Sequence, residues 1–215
     1  PLFPLSRVLV PHLVLPLTIF EPRYRTLMRH LLDREPEDRE FGVVAIRRGR
    51  EVGSGAVADV HEVGTTAIVQ EVTELPDGRY EIVTIGHRRF RILQLDDSLP
   101  YLQATVDFLD EVDGGTEPEL MSSVTDAFVE YRGSFESSMT EEEFRESLPQ
   151  EPAVLSYLIA SAMAVGTGVQ QGLLEVPDTA SRLRDERTLL RRERILMEVL
   201  PSLPVFEPDR QPSIN

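Results

Sequence analysis

The chain has 215 residues and a net charge of −15, and its 22 basic residues are all arginine; cysteine is absent. Without lysine, this chain has no Schiff-base lysine, no Ser–Lys dyad and no P-loop lysine; without cysteine it has no disulfides, thiol catalysis or thiolate metal sites. Residues 1–112 hold 13 arginines against 18 acids, and the rest holds 9 against 19, so general nucleic-acid binding is disfavoured.

No apolar run reaches the roughly 18–20 residues of a membrane helix, and no basic-then-apolar leader opens the chain. A soluble, cytoplasmic protein with no membrane contact is expected. Taken in chain order, the first half reads mainly as strands: Val8–Val10, Leu13–Phe20, Phe41–Ile46, Ala56–Val63, Thr66–Glu74, Arg79–Ile85, Arg89–Leu95 and Leu102–Leu109. Pro76-Asp77-Gly78 predicts a hairpin turn, with the glycine supplying positive φ. One helix interrupts the strands. Pro22 suits its first turn, and Tyr24, Leu27, Met28, Leu31 and Leu32 recur at the spacing of one apolar face. The acidic run Asp33–Glu40 ends it as a mobile loop. Many short strands with few helices imply a small, curled, barrel-like sheet.

Gly114-Gly115 marks the expected boundary. Thr116-x-x-Glu119 and Thr140-x-x-Glu143 read as capping boxes opening two helices. A third spans Pro152 to Val165 and is stopped by Gly166. Asp178 caps a long last helix with Leu183, Leu190 and Met197 seven residues apart, a stripe that suits intramolecular core better than a homo-oligomeric coiled coil. Pro201, Pro204, Pro208 and Pro212 forbid its continuation. The division is residues 1–113 β-rich, 116–200 helical and 201–215 a proline-rich tail, with no internal repeat.

Motifs for chemistry are missing. There is no GxxxxGK[ST], GxSxG or HExxH, and the four histidines are scattered. Asp59 and His61 would share a strand face, but two ligands do not make a metal site. No metal, cofactor or catalytic residue is expected. The strand around Arg88–Arg91 alternates its side chains, and the favoured reading pairs an arginine with Glu21. That pair would clamp the helix Pro22–Leu32 to the sheet. A ligand-binding or RNA-stacking role for these arginines with Phe90 is the alternative.

Several runs together resemble a known family. Pro1-Leu-Phe-Pro-Leu5, Val14-Leu-Pro-Leu-Thr-Ile-Phe-Glu-Pro-Arg-Tyr-Arg25, Phe41-Gly-Val-Val44, Glu51-Val-Gly53, Val63-Gly-Thr65, Leu75-Pro-Asp-Gly-Arg-Tyr80 and Gly86-His-Arg-Arg-Phe-Arg91 stand in the order of the N-terminal substrate-binding domain of Lon proteases. Gln170-Gln-Gly-Leu-Leu-Glu175 and Arg182-Leu183 resemble its second lobe. The resemblance implies an α+β fold, a PUA-like β pseudo-barrel followed by a C-terminal α-helical bundle. It also implies a non-catalytic module that engages unfolded or client polypeptides, alone or with a separate protease or ATPase. Without lysine, a P-loop ATPase and a Ser–Lys peptidase are absent from this chain, and Pro201–Asn215 reads as a natural tail, so a stand-alone domain protein is expected rather than an excised fragment. The candidate substrate-binding residues are Phe20, Tyr24, Arg89, Phe90 and Tyr101, in a groove between the two lobes. The candidate clamp is Glu21, Pro22, Arg23 and Arg89. RNA or small-ligand binding by the β-rich lobe is the alternative.

Overall fold

The computed structural model describes residues 1–49, 57–133 and 139–199. Arg50, the Glu51-Val52-Gly53 motif, Ala56, Leu200 and the tail 201–215 lie outside them. Seven strands form one curled, half-barrel sheet: β1 (Leu2–Leu5), β2 (Val14–Ile19), β3 (Glu40–Gly49), β4 (Val57–Val60), β5 (Val63–Glu74), β6 (Tyr80–Asp96) and β7 (Gln103–Leu109). The order is β1-β3-β5-β6-β2, with β4 on β3 and β7 on β6. Among the described strands, β1 and β3 pair in parallel and the other pairs are antiparallel.

The central feature is β6, whose 17 residues serve two neighbours on one edge. Its first half, Tyr80–Ile85, pairs with β2, and its second half, Arg89–Asp96, pairs with β7. The sequence reading divided this strand at Gly86, but the chain runs straight through. A side chain at Gly86 would strike the Val10 carbonyl, so the glycine admits the neighbouring loop rather than ending the strand. Phe90 needs similar room. An added Cβ at Gly42 or Gly64 would lie 2.9 or 2.6 Å from its ring tip, so two bare backbones form the bed of this buried side chain. Gly78, with φ of 76°, makes the expected turn between β5 and β6.

Helix α1 (Pro22–Leu32) begins and ends where its apolar spacing predicts. Tyr24, Leu27, Met28 and Leu31 are buried and join Phe3, Leu15, Ile19, Phe41 and Ile82 in the main core of the half-barrel. In this half the structure also adds one strand, removes another and refines a loop. Leu2–Leu5 forms β1, a buried strand too short for a periodic signal. Val8–Val10 is a buried loop, not a strand; Thr65 supplies a hydroxyl 2.6 Å from the Leu9 carbonyl in place of a ladder. Asp33–Glu40 contains a 3-10 turn at Pro36–Asp38.

Among the described residues five helices follow: α2 (Pro118–Gly133), α3 (Glu141–Ser147), α4 (Pro152–Ala162), α5 (Thr167–Glu175) and α6 (Thr179–Val199). Thr140 and Glu143 form the predicted capping box. Thr116 does not: its N–H and that of Gly115 donate to the Asp113 carboxylate at 2.9 and 3.0 Å, and the helix starts at Pro118. Gly166 does not stop α4, which ends at Ala162; it is the N-cap of α5, a helix the sequence reading missed because Gly168, Val169 and Gly172 favour helix poorly. On α6, Leu183 and Leu190 are fully buried, with Met197 packed beside them against α2 and α4. The seven-residue stripe is intramolecular core.

Candidate functional site

Two chemically different places emerge, a polar joint and a set of apolar slots. The joint ties the sheet to the helices. The segment after β7 runs past the start of α6, where the Thr179 and Ala180 N–H groups donate to the Val112 and Asp113 carbonyls at 2.8 and 2.9 Å. Asp178 caps the helix by accepting from the Ser181 N–H at 2.8 Å. These bonds satisfy donors that a helix N-terminus otherwise leaves open.

Glu111, on the same segment, is the hub. Its Oε1 accepts from Arg182 and from the Thr179 hydroxyl, each at 2.7 Å, and its Oε2 accepts from the Tyr157 hydroxyl. Arg89 lies 3.5 Å from the same Oε2. Burial by itself would raise the Glu111 carboxyl, but the bonds from Arg182, Tyr157 and Thr179 and the Arg182 charge outweigh it and hold the pKa below its ordinary value. Arg89 also donates to the carbonyls of Leu174 at 3.0 Å and Val176 at 2.6 Å, capping the end of α5. Arg182 lies 3.9 Å from the Tyr157 ring centre and donates to Ser156 at 2.7 Å. Ser156 in turn donates to Glu186 at 2.9 Å. Glu186 is fully buried, and desolvation pushes its carboxyl well above the ordinary range despite Ser156 and Arg182.

The slots open to solvent, and the two that border β2 are mainly apolar. One holds about 120 Å³ and lies between β1 and β2, with Phe3, Leu5, Ile19 and Tyr24 below and Leu17, Thr18, Phe20 and Glu21 around it. That volume is comparable to the ~150 Å³ cavity known to admit benzene, so it suits one bulky side chain. Phe20 is 49% exposed at its rim. Phe3 stacks on Tyr24 at 4.0 Å, which fixes the floor. Strand β2 pairs only with β6 among the described residues, so its other edge is unpaired. Pro4 and Pro16 sit in the two bordering strands, and proline has no N–H to offer a further strand.

A second slot of about 100 Å³ lies where the chain enters β2 and meets α4. A third, of about 150 Å³, opens beside β1 and β7 over Phe90. At its rim Arg88 lies 3.8 Å from the ring centre of Phe108, itself 48% exposed.

The residues singled out from sequence are dispersed by the fold. Phe20 and Tyr24 share the β1–β2 slot, Phe20 exposed and Tyr24 buried. Phe90 is buried and only floors the slot beside β7. Tyr101 is buried, its hydroxyl 2.8 Å from His30 Nδ1. Arg89 is buried in the joint, and its carboxylate partner is Glu111, not Glu21. Strand alternation explains the difference: Arg89 projects toward α5, away from the α1 side. Glu21 pairs instead with Arg23, at 3.1 Å, a local contact at the start of α1. The expected clamp between helix and sheet is therefore replaced by the Arg89–Glu111–Arg182 joint. Glu111 and Arg182 were missed as partners because they are 71 residues apart in the chain. The basic surface is also less open than the sequence suggests. Arg47 and Arg48 both approach Asp59, and Arg88 approaches Glu40 at 3.8 Å.

Fold and joint together define an α+β class: a curled half-barrel whose long strands are locked by buried arginines to a following helical bundle. A family profile described as ATP-dependent protease La (LON) substrate-binding domain matches residues 1–192. The chain belongs to that family. It is 29% identical over 206 residues to Lon protease 2 of Myxococcus xanthus, covering 93% of this chain and 24% of that protein. To the Lon protease of Escherichia coli K12 it is 26% identical over 202 residues, covering 93% and 25%. The chain thus spans about a quarter of the length of these curated relatives. Among solved structures, a Lon N-terminal domain protein from Xanthomonas campestris matches with TM-score 0.59 and 22% identity over 95% of this chain and 98% of that one. The N-terminal domain of Mycobacterium avium complex Lon protease matches at 0.65 and 16%, over 89% and 97%. These two likenesses bear on the fold.

Proposed function

We propose that this domain binds extended, non-native polypeptide segments by taking a bulky apolar side chain into the slot between β1 and β2, and that it does so without catalysis of its own. The observation that carries the reading is the half-exposed Phe20 at the mouth of an apolar slot, beside a strand edge that has no partner among the described residues. Membership of a substrate-binding family supports it. The bound segment would be passed to a separate protease or ATPase, or to further domains, in the cytoplasm. No observation favours RNA. Of the arginines that suggested it, Arg89 is buried and Arg47, Arg48 and Arg88 lie beside carboxylates, and the chain is strongly acidic.

Fluorescence anisotropy with a labelled, permanently unfolded polypeptide and a labelled single-stranded RNA, at two salt concentrations, tests this. Saturable polypeptide binding that survives high salt and weakens about tenfold in Phe20→Asp is expected, since burying one phenylalanine is worth at least that factor. Salt-sensitive binding to RNA alone, or no effect of Phe20→Asp, would overturn it.

A further inference from the structure

We infer that the site has two anchors: an extended client places two bulky side chains, about six residues apart, in slots at opposite ends of β2. This rests on the polypeptide-binding reading above and specifies the register that a client must have. The second anchor is the slot lined by Pro11, His12 and Leu13 from the chain entering β2 and by Val154, Tyr157 and Leu158 of α4. The first slot borders Leu17–Phe20 at the far end of the same strand. The two are joined by β2 itself. At about 3.3 Å per residue, the path from Leu13 to Ile19 is about 20 Å.

An extended client lying along β2 rises by the same amount per residue. Six residues then span the gap, and an even number returns the second side chain to the same side of the client. A helical client would cover only about 9 Å in six residues, so the spacing selects extended chains. The outward residues Val14 and Phe20 are about half exposed and keep both ends of the path apolar. Pro16, in the middle, removes a ladder donor, which throws the recognition onto the anchors.

The second slot is also preformed. His12 adopts a φ of 66°, a conformation costly for a residue with a Cβ, and paired bonds hold it there: His12 N–H to Gly86 O at 2.7 Å and Gly86 N–H to Leu13 O at 2.9 Å. On the opposite wall Tyr157 is pinned by Glu111 and Arg182. Rigid walls lower the ordering cost of binding.

The test is a set of labelled Gly/Ser peptides carrying one phenylalanine, or two at separations from two to ten, titrated against the full chain by anisotropy. Affinity should peak near a separation of six, about tenfold or more above the single-phenylalanine peptide. Leu158→Asp and Phe20→Asp, both at exposed positions, should each flatten that peak to the single-anchor level while one-anchor binding persists. Affinity that follows the number of phenylalanines but ignores their separation would overturn the two-anchor inference and leave polypeptide binding standing. Failure of every peptide and of the unfolded polypeptide would take both down. Should a variant unfold, the separation scan on the unaltered chain still decides.

Discussion

The joint and the β2 slots use opposite chemistry within one molecule. In the joint, Arg89, Arg182, Glu111 and Glu186 are withdrawn from solvent wholly or in part and bonded to one another, to hydroxyls and to the carbonyls ending α5. Around the slots, aromatic and aliphatic groups remain partly exposed, and among the described residues one edge of β2 has no strand partner. Directional bonds fix how the sheet meets the helices, whereas apolar contact is non-directional. Tyr157 belongs to both places. Its hydroxyl bonds Glu111, while its ring lines the slot beside α4. The geometry of one slot therefore depends on the joint.

Breaking the joint should have the largest effect on stability. Arg182→Met removes a guanidinium that meets Glu111, Ser156 and the Tyr157 ring, and it leaves Glu186 without a neighbouring cation. A loss of about 3–5 kcal/mol is expected, read from urea unfolding; a change below about 1 kcal/mol would show that the ion network does not hold the two regions together. Next comes Gly64→Ala. The new methyl would meet Phe90 and the Val43 carbonyl, costing about 1–3 kcal/mol in the same measurement.

Phe20→Asp sharpens the contrast from the other side. It should alter stability by less than about 1 kcal/mol, because the ring is half exposed, while reducing polypeptide affinity about tenfold. Equal losses in both readouts would make Phe20 a core residue rather than a contact.

The smallest effect, and the most diagnostic in sign, comes from pH. Glu186 has a folded pKa raised above its unfolded value, so its protonated form stabilises the fold fully below the unfolded pKa. That contribution is lost as pH rises toward the folded pKa. Glu186→Gln should therefore match the unaltered protein at pH 4 and melt at an equal or higher temperature at pH 8. Glu111 works in the opposite direction. Its folded pKa is lowered, so its contribution is present above the unfolded pKa and disappears as pH falls through the folded one. Acid melting curves of Glu111→Gln should be flatter than those of the unaltered chain.

Local signals were legible wherever one element could be judged alone. The bounds of α1 followed from Pro22 and a five-residue apolar spacing, the β5–β6 turn from Gly78, and the start of α3 from the Thr140 capping box. Local pattern misleads where the deciding partner is distant in the chain. A buried loop at Val8–Val10 looked like a strand because its apolar side chains face the core without a ladder. Gly86 looked like a break because the crowding that requires a bare backbone comes from Val10, a contact invisible in chain order.

By itself, the amino-acid sequence determined the family, the succession of strands and then helices, and the chemistry this chain lacks for want of lysine and cysteine. Those properties depend on composition, short periodicities and ordered motifs. Tertiary structure alone decided which face of β6 each arginine takes, so that Arg88 stays partly exposed over Phe108 and Arg89 locks onto α5 and Glu111. It alone placed Phe20 at an open slot and buried Phe90 and Tyr101. The physical reason is that burial and ion pairing depend on distances between elements far apart in the chain, and no local pattern encodes a distance.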